Sequence, residues 1–311
     1  MRIRRSLFLA ALLACTAIPL IAQAGTSKSW TAAAKVLPAD TKMIVGVNVV
    51  TIRQSTIFNT LFPTLMASEK DAQQVLDVIK GSCGIDALTA ITDATVAMTD
   101  GEKGGIFLAL NGVDEKKLTT CMVTVGKKMA NATITAKRTG NVVEYSESGK
   151  SDKLYVGWIG ADVLVIATDP QDRTLLDKWM GGKGALNADM ARGVKGINAG
   201  AAMWVVAMEK TTISPTATSK GGYGSLDLAG GTLTLDGHMV LSSAKEASAA
   251  AVELNKQLAG MSGNMPPDVA KMMKSVKIAA SGDEIVAKAS VAEKDLLNLM
   301  GMLMGGGGAQ P

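Results

Sequence analysis

Between Glu115 and Met129 the apolar positions fall at Leu118, Cys121, Met122, Val125 and Met129, the spacing of a helix that buries one face. Adding 129 to each of the last five numbers lands on Ala247, Ala250, Ala251, Leu254 and Leu258, which predict a second helix of the same spacing. Asp114 stands at the N-cap position of the first helix, and Ser243 with Glu246 forms a capping box on the second. Strand patterns precede each helix, at Thr95–Met98 and Ile106–Leu110, and at Leu226–Leu228 and Leu233–Leu241. A strand, a Gly turn and another strand follow each: Thr133–Lys137, Gly140 and Val142–Tyr145, then Val276–Ala280, Gly282 and Ile285–Ala289. Short buried strands open both units at Met43–Val49 and Met203–Met208. Apolar helices close them, around Leu175–Trp179 and around Leu296–Met300.

The pattern predicts an α+β fold of two related repeats, each a largely antiparallel sheet with helices packed on one face. The first repeat is expected over residues 25–190, with an extra hairpin near 154–168, and the second over 191–304. Gly181, Gly182, Gly184, Gly193 and Gly196 mark the boundary, and residues 305–311 read as a disordered Gly-rich tail. Gly181–Gly184 and Gly221–Gly224 match neither the Walker spacing nor the dinucleotide fingerprint, and are expected to be flexible loops. The Ser/Thr-rich stretch Thr211–Lys220 is expected to be mobile.

The first 24 residues have the form of a secretory signal peptide. Arg2, Arg4 and Arg5 precede an apolar stretch beginning at Leu7, and Ala22-Gln23-Ala24 offers small residues for cleavage before Gly25. A rival lies in Leu12-Leu13-Ala14-Cys15, which resembles a lipobox and would anchor the chain by a lipid on Cys15. The expected location is therefore periplasmic or secreted, or lipid-anchored through Cys15. No later segment reaches about 18 consecutive apolar residues, so the mature chain is expected to carry no transmembrane segment.

Export changes the charge and the cysteine count. The formal net charge is +4, but removing Arg2, Arg4 and Arg5 leaves 29 Lys and Arg against 28 Asp and Glu. That balance argues against nucleic acid as a partner. Lys127-Lys128 and Lys137-Arg138 read as solvated faces. Loss of Cys15 leaves Cys83 and Cys121, an even pair that reads as a disulfide in an oxidising compartment, with two separate buried thiols as the alternative. Aromatic residues make up only 4%, so Ala, Val, Leu and Met must fill the core.

Three segments carry a family likeness: Leu37-Pro38-Ala39-Asp40 before the first strand, Cys83 to Asp86, and a later helix with the second cysteine. In these the chain resembles a loose group of exported bacterial proteins with two α+β repeats. The resemblance implies no activity.

Candidate chemistry is sparse. His238 is the only histidine and is expected to be a solvated sheet residue on the face of Thr234 and Asp236. One histidine and two oxidised cysteines do not make an ordinary zinc site, and no Gly-x-Ser-x-Gly elbow is present. Asp169, Asp172 and Asp177 fit a helix start, where N-terminal capping explains them. Met300, Met302 and Met304 could bind Cu(I) as soft thioethers or simply fill core gaps. Leu296, Leu299, Met300 and Leu303 are the candidate partner-contact positions of the last helix.

The leading expectation is an exported, non-catalytic binding or structural protein of the bacterial envelope. Its partner would be a protein or an envelope component, with no cofactor and no defined oligomeric state. The alternative is a periplasmic carrier of a small apolar ligand or Cu(I) through the Met-rich C-terminal region. A hydrolase comes third.

Overall fold

The computed structural model describes residues 27–305, apart from 100–102, 215–216, 263–264 and 266. Residues Ala24, Gly25 and Cys15, with the rest of the expected signal segment, lie outside the described residues, as does the tail after residue 305. The chain divides into two compact units, one of residues 27–50 and 60–188, the other of residues 51–59 and 189 onward.

The first unit begins with α1 (Lys28–Ala33) and β1 (Met43–Asn48), while α2 (Val49–Arg53) and α3 (Thr56–Ser68) each straddle the division between the units. It continues through α4 (Lys70–Cys83), α5 (Ala87–Ala90), β2 (Ile91–Met98), β3 (Gly104–Leu110) and α6 (Glu115–Ala130). The hairpins β4 (Ile134–Thr139) with β5 (Val142–Glu147), and β6 (Lys153–Ile159) with β7 (Val163–Ala167), precede α7 (Arg173–Gly181). Its strands run in the order β1-β2-β3-β7-β6-β5-β4, every pair antiparallel.

The second unit holds α8 (Ala188–Gly196), β8 (Met203–Ala207), β9 (Thr211–Ser214), β10 (Ala217–Ala229) and β11 (Thr232–Leu241). It ends with α9 (Ala244–Ser262), α10 (Pro267–Met273), β12 (Lys277–Ser281), β13 (Glu284–Ala292) and α11 (Glu293–Gly305). The order here is β8-β10-β11-β13-β12, again antiparallel, with β9 paired to β10. The hairpin β6–β7 covers the hairpin residues read near 154–168, and it lies between β3 and β5.

The α+β class and the antiparallel pairing agree with the sequence pattern. Helix α6 starts where Asp114 accepts a hydrogen bond from Lys117 N–H at 2.8 Å, and α9 where Ser243 Oγ accepts from Glu246 N–H at 3.2 Å. Leu118, Cys121, Met122 and Val125 all meet a core cluster containing Leu110, Val143, Tyr145, Val156, Trp158 and Leu164. Met129, in the last turn of α6, is 42% exposed instead. Ala247, Ala250 and Leu254 pack on Leu241, Ile285, Met239 and Ile278 in the second unit.

Helices cover both faces of the first sheet, where cover on one face was expected. α4 and α6 lie over Leu108 and Leu110, whereas α7 seats Trp179 on the opposite face, over Gly105. A Cβ at Gly105 would stand 2.8 Å from Trp179 Cγ, so the missing side chain is what lets the indole reach the sheet. The second cover follows from composition: β3 (GGIFLAL) and β7 (VLVIA) are apolar on both faces, and a strand of that kind must be shielded on both.

Cys83 and Cys121 form a disulfide across a Cα–Cα distance of 5.2 Å, tying the end of α4 to the middle of α6. Among the described residues no helix is long and apolar enough to cross a membrane. Replacing both cysteines by alanine should lower unfolding stability by about 3–4 kcal/mol, the chain-entropy value for a loop of this length. Urea denaturation of the oxidised and the double-alanine proteins checks this, and an unchanged midpoint contradicts it.

Candidate functional site

The second unit gathers its charged chemistry around Glu284. Register places Tyr223 of β10 opposite His238 of β11, and Val240, two residues on, opposite Glu284 of β13. Because alternate residues share a face, Asp236, His238 and Val240 line one side of β11 with Tyr223 and Glu284 beside them. Helix α8 lies against this side. Its Gly193 and Gly196 approach Val206 and the Tyr223 ring so closely that a Cβ at either would collide, which brings Arg192 over the carboxylates.

Tyr223 and His238 stack with ring centroids 4.6 Å apart and planes 8° from parallel. His238 Nδ1 lies 2.9 Å from Glu284 Oε2, and Tyr223 Oη donates to the same carboxylate at 2.9 Å. Arg192 Nη2 reaches Glu284 Oε1 at 2.5 Å, and the guanidinium grips Asp283 through Nη1 at 2.8 Å and Nη2 at 2.7 Å. On the far side His238 Nε2 is 3.3 Å from Asp236 Oδ1, an oxygen without a hydrogen-bond partner, while Asp236 Oδ2 pairs with Lys288 at 3.0 Å. His238 is thus a half-buried member of an ionic network, with only 20% of its side chain exposed, and not the solvated residue expected. β-strand alternation had placed its face correctly. What it could not supply was the cover of α8.

The glycines expected in a flexible loop prove to be the means of building this network. Residues 221–224 lie within β10, after a bulge at Ser219/Gly221. A Cβ at Gly222 would come 2.7 Å from His238 O, and one at Gly224 2.8 Å from Asp236 O. Side chains there would push β11 away. Thr211–Ser214 forms β9 within the same sheet, so this part of the stretch expected to be mobile is paired. The glycines at 182 and 184 are likewise closely approached, by the carbonyls of Val36 and Ala34.

Electrostatics follow the contacts. Arg192 hydrogen bonds hold the Asp283 carboxyl down at about 2. Burial pushes the Glu284 carboxyl up, but hydrogen bonds from His238, Tyr223 and Arg192 outweigh it and leave the group below its ordinary value. Burial, and then the Glu284 carboxylate, push the Tyr223 hydroxyl up to about 12. With three donors converging on it, Glu284 has its lone pairs committed to internal bonds, which suits an ionic clamp.

A different kind of surface lies in the first unit. A groove of about 720 Å³ runs along α4, lined by Met66, Gln74, Asp77, Val78, Ser82 and Lys128 among others. Gln74, Asp77, Val78 and Gly81 recur at helical spacing, so one flank of α4 forms its wall. Asp77 accepts from Gln73 at 2.9 Å, and Cys83 follows the groove residue Ser82 directly.

The remaining expected site residues fall elsewhere. Asp172 caps α7 by accepting from Leu175 N–H at 2.8 Å, and Asp177 pairs with Arg173. On α11, Leu296, Leu299 and Met300 are half-buried. That helix packs against β13 and α10, and Lys271 pairs with Asp295 at 3.0 Å. The side chains of Leu303, Met302 and Met304 lie outside the described residues. Among the described residues no group of three or more His, Cys, Asp and Glu has the arrangement of a metal site.

No family model matches the sequence, and no curated protein does. Among solved structures, crystal form III of TP0453 has 8% sequence identity and a TM-score of 0.49, covering 86% of this chain and 96% of that one. Crystal form I gives 8% and 0.47 over 86% and 96%, and crystal form IV gives 7% and 0.43 over 87% and 99%. These are distant structural neighbours.

The clamp predicts a stability profile with two shoulders. Asp283 and Glu284 are lowered in the folded state, so their contribution is present above the ordinary carboxylate range and is lost on acidification, for Asp283 as pH falls toward about 2. Tyr223 is raised, so its contribution is present below about pH 10 and is lost as pH rises toward about 12. Arg192→Gln should flatten the acid shoulder and Tyr223→Phe the alkaline one, as read from urea midpoints across pH. An acid limb identical in R192Q and the parent protein would contradict the assignment.

Proposed function

We propose that the protein is an exported, non-catalytic binding protein of the bacterial envelope. The observation that carries the proposal is the closure of Glu284: His238, Tyr223 and Arg192 all bond to its carboxylate, so the one histidine of the chain is used in holding β11 to β13 and α8. The bond to Glu284 engages Nδ1 of the histidine, and two cavities described in the first unit are lined by other residues. The Cys83–Cys121 bond supports an oxidising compartment, in keeping with the expected signal segment. Common ancestry of the two units remains part of the proposal. It is supported by the two antiparallel strand orders, which differ by the interposed hairpin β6–β7.

The groove along α4 is the binding surface in this reading. Its wall combines Met66, Ala67 and Val78 with Gln73, Gln74 and Ser82, a mixed lining suited to a protein surface or an envelope component. A second reading, carriage of a small apolar ligand, is favoured by the apolar share of that lining; it moves the expected carrier site from the C-terminal helix to this groove.

A photocrosslinking residue placed at Gln74, with one at the exposed Lys195 as control, separates these in the native envelope. The leading proposal expects a discrete protein or envelope adduct from position 74 and none from 195. A small molecule seen by native mass spectrometry, with no adduct, would favour the carrier. Turnover of a substrate that is lost in His238→Ala would overturn both.

A further inference from the structure

Among the described residues, a hydrogen-bonding edge stands open at one end of the first sheet. β4 is the terminal strand, and Thr135 to Thr139 are all exposed. The β4–β5 hairpin closes through Gly140 and Asn141 between the paired residues Thr139 and Val142. In a two-residue hairpin the flanking pair is hydrogen-bonded, and the pattern then alternates along the strands. Thr139, Lys137 and Thr135 therefore turn their backbone groups toward β5. The bond from Ser148 N–H to Thr133 O, at 2.9 Å, keeps the same parity. Ile134, Ala136 and Arg138 turn theirs outward, three N–H and three C=O groups along one edge.

The second sheet treats its corresponding edge differently. β12 is terminal there, and its hairpin closes through Gly282 and Asp283, so Ile278 faces outward. Asn255 of α9 plugs that position, donating from Nδ2 to Ile278 O at 2.9 Å. Subtracting 129 from 255, the offset that aligns α9 with α6, gives Gly126. Gly126 offers no side chain to reach the edge and packs directly on Ile134. One edge carries an amide plug, and the other has none at the matching position.

Charge selects what can approach. Glu115 is paired with Arg138 at 3.0 Å, Glu147 with Lys150 at 2.7 Å, and Glu144, opposite Lys137, with Lys153 at 2.7 Å. The exposed Lys127, Lys128 and Lys137 have no ion-pair partner among the described residues, and they lie at the end of α6 and along β4. Lysine on an open edge repels a like-charged strand, so pairing of β4 with a second copy would set these ammonium groups against one another.

We propose that β4 is a strand-addition site, which takes an extended acidic segment of a partner protein alongside Ile134–Thr139. The outward N–H and C=O groups supply main-chain hydrogen bonds, and the uncompensated lysines supply the preference for Asp and Glu. This surface is separate from the lining of the α4 groove except at Lys128.

The test uses the full oxidised chain and a fluorescent octapeptide, Thr-Glu-Val-Glu-Val-Asp-Val-Glu, followed by anisotropy at low and high salt. The proposal expects salt-sensitive binding and slowed hydrogen exchange at the amides of Ile134, Ala136 and Arg138. Ala136→Pro, which removes an outward N–H, and Lys137→Glu should each weaken binding by about tenfold or more. N-methylation of alternate peptide residues should abolish it without touching the protein, which covers the case of a misfolded A136P. Absence of peptide binding, binding unchanged by both variants and by N-methylation, or exchange unchanged at the three amides would overturn the proposal. So would preferential formation of a β4-linked dimer. Crosslinking from Gln74 would survive any of these results, so failure here is distinguishable from failure of the groove.

Discussion

The covalent bond between Cys83 and Cys121 is the constraint on which the first unit turns. It fixes the C-terminal end of α4 against α6, directly over the cluster of Tyr145, Val156, Trp158 and Leu164. Both surfaces proposed for partners in that unit are extensions of this joint. The groove residues Gly81 and Ser82 immediately precede Cys83, Lys128 stands two turns beyond Cys121, and β4 begins four residues after α6 ends. A chain with 4% aromatic residues has few large side chains with which to fix two surface helices on a sheet, and the bond supplies that restraint covalently.

Elsewhere the restraint is steric. Trp179 sits over Gly105 and Met180 over Gly157, while Gly193 and Gly196 let α8 approach Val206 and Tyr223. In each case the backbone yields space to a bulky group, and that is how a core poor in aromatics is closed. These contacts also explain where sequence reasoning stopped short. Glycine pairs look the same in a string whether they loosen a loop or admit a neighbour, and Gly221 to Gly224 proved to be of the second kind. The difference lies in which strand or helix passes by, a long-range fact that local pattern does not contain.

The legible parts were those with local causes. Helices α6 and α9, their caps at Asp114 and Ser243, and the hairpins at Gly140 and Gly282 follow from spacing and turn chemistry, and the cysteine pair from the even count left by the expected export. The clamp was half legible: alternation set the face of His238, but its partners come from residues 192, 223 and 284 through register. The groove was not legible at all. α3 carries Pro63 in its interior and α4 has Gly81 in its last turn, both contrary to helix propensity, and packing overrides them. The open edge of β4 has no local mark in the sequence, since what distinguishes it from β12 is a side chain on a distant helix, Asn255.

Export into an oxidising compartment and the disulfide stand or fall together, and intact-mass analysis of the protein isolated from the envelope fraction tests both at once. The isolated chain should begin at Gly25 and be two hydrogens lighter than its reduced form, with no thiol reactive after denaturation without reductant. A chain that retains its first 24 residues, or that carries two free thiols at Cys83 and Cys121, would contradict that expectation.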